Sequence, residues 1–258
     1  IAAAAIGFAD YLGHFWPALR QDQTFIMLGS GALSLKIGGG QLAASGLILL
    51  FTVLNLFGVS RIAKIQNVLT AIKLLVIVAF VALAFAAGTG NWAHFSETAG
   101  TFSALMALSL VATVSAMVTI GPRVYYAMAK NGAFVKAAAR VHPRWRTPVF
   151  AIVCQGFIAV LMTLTPFRDL ISYIGFTLTL FAVLAVASLF VFRRQPGWQK
   201  TSVISFAWPL IPVLFILVGT WTLVVGLSVQ PGVSLTGLAT VAAGALVYHF
   251  RIRPGRKA

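Results

Sequence analysis

Acidic residues are scarce: Asp and Glu together number 4 in 258 residues. They are Asp10, Asp22, Glu97 and Asp169, and no two are spaced as a catalytic pair. General acid–base chemistry rests on positioned carboxylates or histidines, so the sequence argues against an enzyme. Cysteine is rarer still. Cys154 stands alone within an apolar run, which excludes a disulfide framework and a CxxC metal pair. It also lacks a neighbouring base that would make it a nucleophile. The histidines His14, His94, His142 and His249 have no second ligand near them, so no metal site is expected. Gly38-Gly39-Gly40 is not followed by GK[ST] and no strand is read before it, which excludes a phosphate loop. No cofactor is implied.

Charge as a whole is also low. Only 9% of residues are charged, whereas 60% are hydrophobic; soluble domains carry about 25% charged residues. The composition is that of a membrane protein. The net charge of +15 could suggest nucleic acid, but the bases lie in loops between apolar spans, where a membrane protein puts them. Nucleic acid is therefore not expected as a partner, and the lipid bilayer is. Ile1 opens within an apolar run, with neither a basic start nor a cleavage site ahead of it. The expectation is a chain incomplete at its N-terminus.

A spanning helix needs about 20 apolar residues. Eight runs qualify: 1–19, 42–59, 65–87, 102–128, 149–165, 170–192, 203–227 and 233–250. Together they predict an all-α membrane protein forming a single transmembrane helical domain over 1–258. Gly or Pro marks the short connections, as at Gly88 to Gly90, Pro166, Pro196-Gly197 and Pro231-Gly232.

The stretch from Gly121 to Pro148 fixes the orientation. It carries Arg123, Lys130, Lys136, Arg140, Arg144 and Arg146, with no acid. Cytoplasmic loops are enriched in Lys and Arg, so this loop belongs inside. Alternation then places Arg61 and Lys64 inside. It does the same for Arg193, Arg194 and Lys200, and for the tail with Arg251, Arg253, Arg256 and Lys257. The opposite loops hold Arg20, Lys36 and Arg168 beside Asp22, Glu97 and Asp169. Both termini are expected in the cytoplasm of a multi-pass protein of the cell membrane. Trp16, Trp92, Trp198 and Trp208 fall at span ends, as interfacial anchors do. Ala133 to Val141 reads as a short amphipathic helix on the bilayer surface, stopped by Pro143.

One intramembrane charge stands out. Lys73 follows Lys64 by nine residues, roughly 14 Å along a helix, which puts it near mid-bilayer. Gln66, Thr70 and Lys73 are spaced to share a polar stripe. The competing reading is that Lys73 snorkels toward the cytoplasm. In the fourth span, Ser109, Ala112, Thr113 and Ala116 form a stripe suited to close helix packing. Asp10 and His14, four apart, suit a structural pair near the outer end; a proton relay is the alternative.

GPRVYYAMAKNG followed by ARVHPRWRTPV resembles the end of the eighth helix and the next loop in the amino acid–polyamine–organocation superfamily of permeases. Bacterial amino acid permeases and L-type amino acid transporters look closest. GFADYLGHFWP, from Gly7, is similar to the end of the family's third helix. NLFGVSRIAKIQNVLTAIKLL, from Asn55, is similar to the junction of its fourth and fifth helices. Trp208 to Leu227 and Pro231 to Tyr248 resemble its eleventh and twelfth.

That family has twelve helices built on an inverted repeat of five plus five, so the resemblance implies a partial version of that bundle. Its first two helices would precede Ile1, and its sixth and seventh would fall near Gly100, where this chain has no counterpart. The family holds substrate on Gly-rich unwound segments of its first and sixth helices, so the substrate-binding residues remain unknown here. The resemblance implies secondary transport of amino acids or related amines, or else a transport-inactive remnant lacking the substrate-binding helices. Many family members carry a fifth-helix lysine at the place of Lys73, linked to proton coupling or to bracing neighbouring helices. Thr113 and Ser115 would then be the hydroxyls around that position, and a proton the coupling ion.

Overall fold

The computed structural model describes residues 1–29, 34–57, 59–86, 100–196 and 208–252. Eight α-helices lie among them. They are α1 (Ala2–Leu12), α2 (Gly39–Leu56), α3 (Val59–Ala86), α4 (Gly100–Lys130), α5 (Val149–Thr163), α6 (Phe167–Phe192), α7 (Leu210–Val229) and α8 (Pro231–Val247). Trp92, His94, Glu97, Trp198, Lys200, Arg253, Arg256 and Lys257 lie outside the described residues, as do the turns at Gly88 to Gly90 and at Gly197.

Helix bounds depart from the apolar runs where local chemistry intervenes. α1 stops at Leu12, short of the predicted Leu19. Gly13 follows it, Arg20 Nε donates to the Gly13 carbonyl at 3.2 Å, and Pro17 opens a separate 3₁₀ turn over Pro17–Leu19. Arg61 and Lys64, expected in a loop, are the first turns of the 28-residue α3; nothing in Val59 to Lys64 breaks a helix. The expected surface helix over Ala133 to Val141 is only a 3₁₀ turn, Lys136–Ala139. Gly132, at φ 69°, turns the chain out of α4, and Arg140 is already extended. α7 begins at Leu210, just after Pro209; the part of the expected run before Trp208, from Val203, lies outside the described residues.

Among the described residues, one β element accompanies the helices. β1 (Thr24–Leu28) and β2 (Leu35–Gly38) form an antiparallel hairpin in the segment expected as an outer loop. The Lys36 amide donates to the Leu164 carbonyl at 2.6 Å, which ties the hairpin to the end of α5.

The described chain forms two compact units. The first covers Ile1–Phe167 together with the residues from Tyr248 onward; the second covers Arg168–Val247. In the first, α1, α2, α4 and α5 pack mutually, and α3 lies against α4. The core is built of small and branched side chains: Ala5, Ile6, Ala9, Ala44, Ile48, Val114 and Val118 are all buried. A polar seam runs through it between α2 and α5. Ser45 Oγ and Thr163 Oγ1 are 2.8 Å apart, and Thr147 Oγ1 donates to the Leu56 carbonyl at 3.2 Å. Hydrogen bonds between membrane helices average about 0.6 kcal/mol. Thr163→Val should therefore lower the melting point in detergent by no more than a few degrees, read by intrinsic fluorescence.

In the second unit, Phe176 of α6 packs against Gly226 of α7 and Gly237 of α8. The Tyr173 and Thr240 hydroxyls are 2.8 Å apart, which ties α6 to α8. The Arg193 guanidinium lies 3.5 Å over the Trp208 ring, a cation–π contact at the ends of α6 and α7.

Among the described residues, five helices are long and apolar enough to cross a membrane: Gly39–Leu56, Ser103–Lys130, Phe167–Phe192, Leu210–Val229 and Pro231–Phe250. Ala2–Leu12 and Val149–Thr163 are shorter apolar helices. The outer faces of α3 and α7 are strongly apolar: Leu75, Val78, Leu217, Trp221 and Val229 are all more than half exposed. A water-soluble monomer rarely shows contiguous apolar surface on this scale. The chain is a multi-pass, all-α membrane protein, and among the described residues the hairpin is its one β element.

Candidate coupling site on the third and fourth helices

Lys73 sits on α3 among residues that are alternately open and half-buried. Gln66, Leu69, Lys73 and Val76 are half-buried, whereas Val68, Thr70, Ile72, Leu74 and Leu75 are exposed. The half-buried set recurs at three and four residues, the spacing of one helix face, and α3 packs on α4. Lys73 and Gln66 thus share the packed face, while Thr70 lies at its exposed edge.

On α4, Thr113 and Ser115 are two residues apart, and such pairs do not face the same way. Thr113 is half-buried and donates to the Ser109 carbonyl at 2.9 Å. Ser115 is 0% exposed, and its Oγ has no hydrogen-bond partner among the described residues. Ala107, Val114 and Val118 are buried with it. Ser109, Thr113 and Ala116 are half-buried on the other side of the helix, with Ala112 more deeply set. Among the described residues, no hydrogen bond joins Lys73 to Thr113 or Ser115.

One residue was missed by sequence reasoning. α4 contains Pro122, whose ring lacks an N–H and crowds the carbonyl four residues earlier. Gln155 of α5 reaches this point. Its Nε2 donates to the Met117 carbonyl at 3.3 Å, and its Oε1 lies directly against Gly121, where any Cβ would collide. A lone Gln inside the apolar run 149–165 was the available signal. Gln155→Leu should remove this link and lower the melting point by no more than a few degrees, since an interhelical hydrogen bond in a membrane averages about 0.6 kcal/mol.

Asp10 and His14 line a separate open cleft of about 420 Å³ with Arg20 and Asp22. No ion pair joins Asp10 to His14; the His14 ring instead meets Phe15 edge-on, with centroids 5.3 Å apart. Among the described residues, no group of three or more metal-ligating side chains is assembled.

No family model matches the chain. It is 30% identical over 149 residues to the large neutral amino acids transporter small subunit 2 of Rattus norvegicus, covering 57% of this chain and 27% of that protein. It is 32% identical over 112 residues to the serine/threonine exchanger SteT of Bacillus subtilis (strain 168), covering 42% and 26%. Over 113 residues it is 31% identical to the mouse cationic amino acid transporter 4, covering 43% and 17%. The chain is related to the amino acid–polyamine–organocation transporters. All three relatives in that superfamily are transporters rather than enzymes. The chain spans about a quarter of the length of the first two relatives it matches.

Proposed function

We propose that this chain is part of a secondary transporter that moves amino acids or related amines across the cell membrane. The observation that supports it is agreement among relatives: three proteins named for different amino acid classes match the same chain at about 30% identity. In this reading, alternating access rocks one helical bundle against another around a midplane site. The Gly121 to Pro148 segment faces the cytoplasm, and both termini lie on that side.

Lys73 braces α3 against α4, and its amino group is the one that would carry a coupling proton. Its place on the packed face of α3 supports this role. In this reading Thr113, the half-buried one of the two hydroxyls, is the one that meets α3. Ser115, fully buried and unpartnered among the described residues, serves the helix core or a neighbouring polar group.

Uptake of labelled amino acids into vesicles tests the reading. Uptake by this chain, inhibited by excess unlabelled substrate, would support it. Failure of the chain alone, with uptake restored when the absent Gly-rich helices are supplied, would favour the transport-inactive piece. Failure in both forms would remove the proposal.

A further inference from the structure

We infer that the segment from Lys130 to Arg146 is a preorganised platform for anionic phospholipid headgroups. The first observation is charge without a counterion. Lys130, Lys136, Arg140, Arg144 and Arg146 are all exposed. The segment contains no acid, and the chain has only Asp10, Asp22, Glu97 and Asp169 elsewhere. Nothing within the segment can neutralise these five cations.

The second observation is rigidity. The 3₁₀ turn Lys136–Ala139 is pinned by Ala138, which is 0% exposed and packs with Ala129 of α4 and Ala151 of α5. Tyr125 and Phe134 stack beside it at 5.6 Å. The following loop is closed on itself. The His142 amide donates to the Thr147 carbonyl at 2.9 Å, and the Arg146 amide to the His142 carbonyl at 2.8 Å. Trp145 stacks on His142 at 4.4 Å and meets Phe57 at 5.5 Å. Thr147 ties the loop to the last turn of α2. Arg144 and Arg146 are therefore displayed on a fixed frame, which limits the ordering cost of capturing a ligand.

The third observation selects the ligand. Val135 and Val141, each more than two-fifths exposed, lie among the cations. α4 has 31 residues and rises about 46 Å, enough to cross the hydrocarbon and bring its end to headgroup level. Bases mixed with apolar side chains at that depth fit a lipid better than a soluble anion or a nucleic acid. Anionic lipids attract juxtamembrane cations in this way.

The test uses the full chain purified in detergent. Phosphatidylglycerol and phosphatidylcholine are added in equal amounts, and bound lipid is read by native mass spectrometry. Phosphatidylglycerol should be retained preferentially. Arg144→Gln combined with Arg146→Asn, the latter chosen because Arg146 sits at φ 54° where Asn is tolerated, should weaken retention by about fivefold for each base removed. Lys136→Gln with Arg140→Gln should do the same, should the first pair impair folding. Arg168→Gln, outside the platform, should change nothing. Equal retention of both lipids, unchanged retention in both double variants, or displacement by inorganic phosphate alone would overturn the inference.

Discussion

Gly156→Val should abolish the recovery of folded protein. A Cβ at Gly156 would stand 2.6 Å from both Cγ2 and Oγ1 of Thr52. Thr52 cannot readily turn aside, because its hydroxyl donates to the Ile48 carbonyl at 2.7 Å. The two extra methyls would wedge α2 from α5. The Ser45–Thr163 contact and the Thr147–Leu56 hydrogen bond lie toward opposite ends of that interface, so both would open. Overpacking costs about 1–3 kcal/mol at one site, and small residues are what allow membrane helices to approach closely. The expected result is aggregation on size-exclusion chromatography. Gly46→Val is the control: apart from its own stretch of helix backbone, nothing among the described residues lies within 4 Å of a Cβ there, and it should behave as wild type. Gly156→Ala should be milder and should improve when paired with Thr52→Ala. Normal recovery of Gly156→Val would show that α2 and α5 do not pack as described.

Lys73→Ala should flatten the pH dependence of amino acid uptake and lower its rate at least tenfold, in vesicles where uptake is measured. A charge at the centre of a helix costs about 2.5–3.5 kcal/mol on insertion, so its presence there calls for a compensating role. Lys73 lies on the packed face of α3 rather than on the exposed one. Removing it would relieve the insertion cost, so the variant should reach the membrane at wild-type levels or above. Expression unchanged and uptake lost would separate a coupling role from a folding role. Lys73→Arg, which keeps charge but resists deprotonation, should keep assembly yet lose the pH response. An unaltered profile in Lys73→Ala would remove the proposed role.

Most of the helical layout was legible because hydrophobic run length reports it directly. The runs at 102–128, 149–165, 170–192 and 233–250 match α4, α5, α6 and α8 to within a few residues. What run length could not report was where an apolar run ceases to be helical. Between Leu12 and Leu19 the residues are still apolar, but Gly13, Pro17 and the Arg20 contact divide the run. The hairpin was missed because Phe25 to Leu28 is apolar without alternation and too short to stand out. The site was half legible. Lys73 announces itself by charge alone, whereas Gln155 gains its meaning from Pro122 on another helix, more than thirty positions away. Thr113 and Ser115 enter through the resemblance, and residues two apart on a helix do not face the same way.

In the proposed topology the basic ends of these helices share one side of the bilayer. Site-directed labelling decides this. In a Cys154→Ala background, single cysteines would be placed by Lys136→Cys, by Asp22→Cys and by addition after Ala258, then exposed to a membrane-impermeant maleimide on intact cells. Asp22→Cys should label at once. Lys136→Cys and the terminal cysteine should label only after the membrane is opened. Labelling of Lys136→Cys from outside, or of it and the terminal cysteine from opposite sides, would contradict the account.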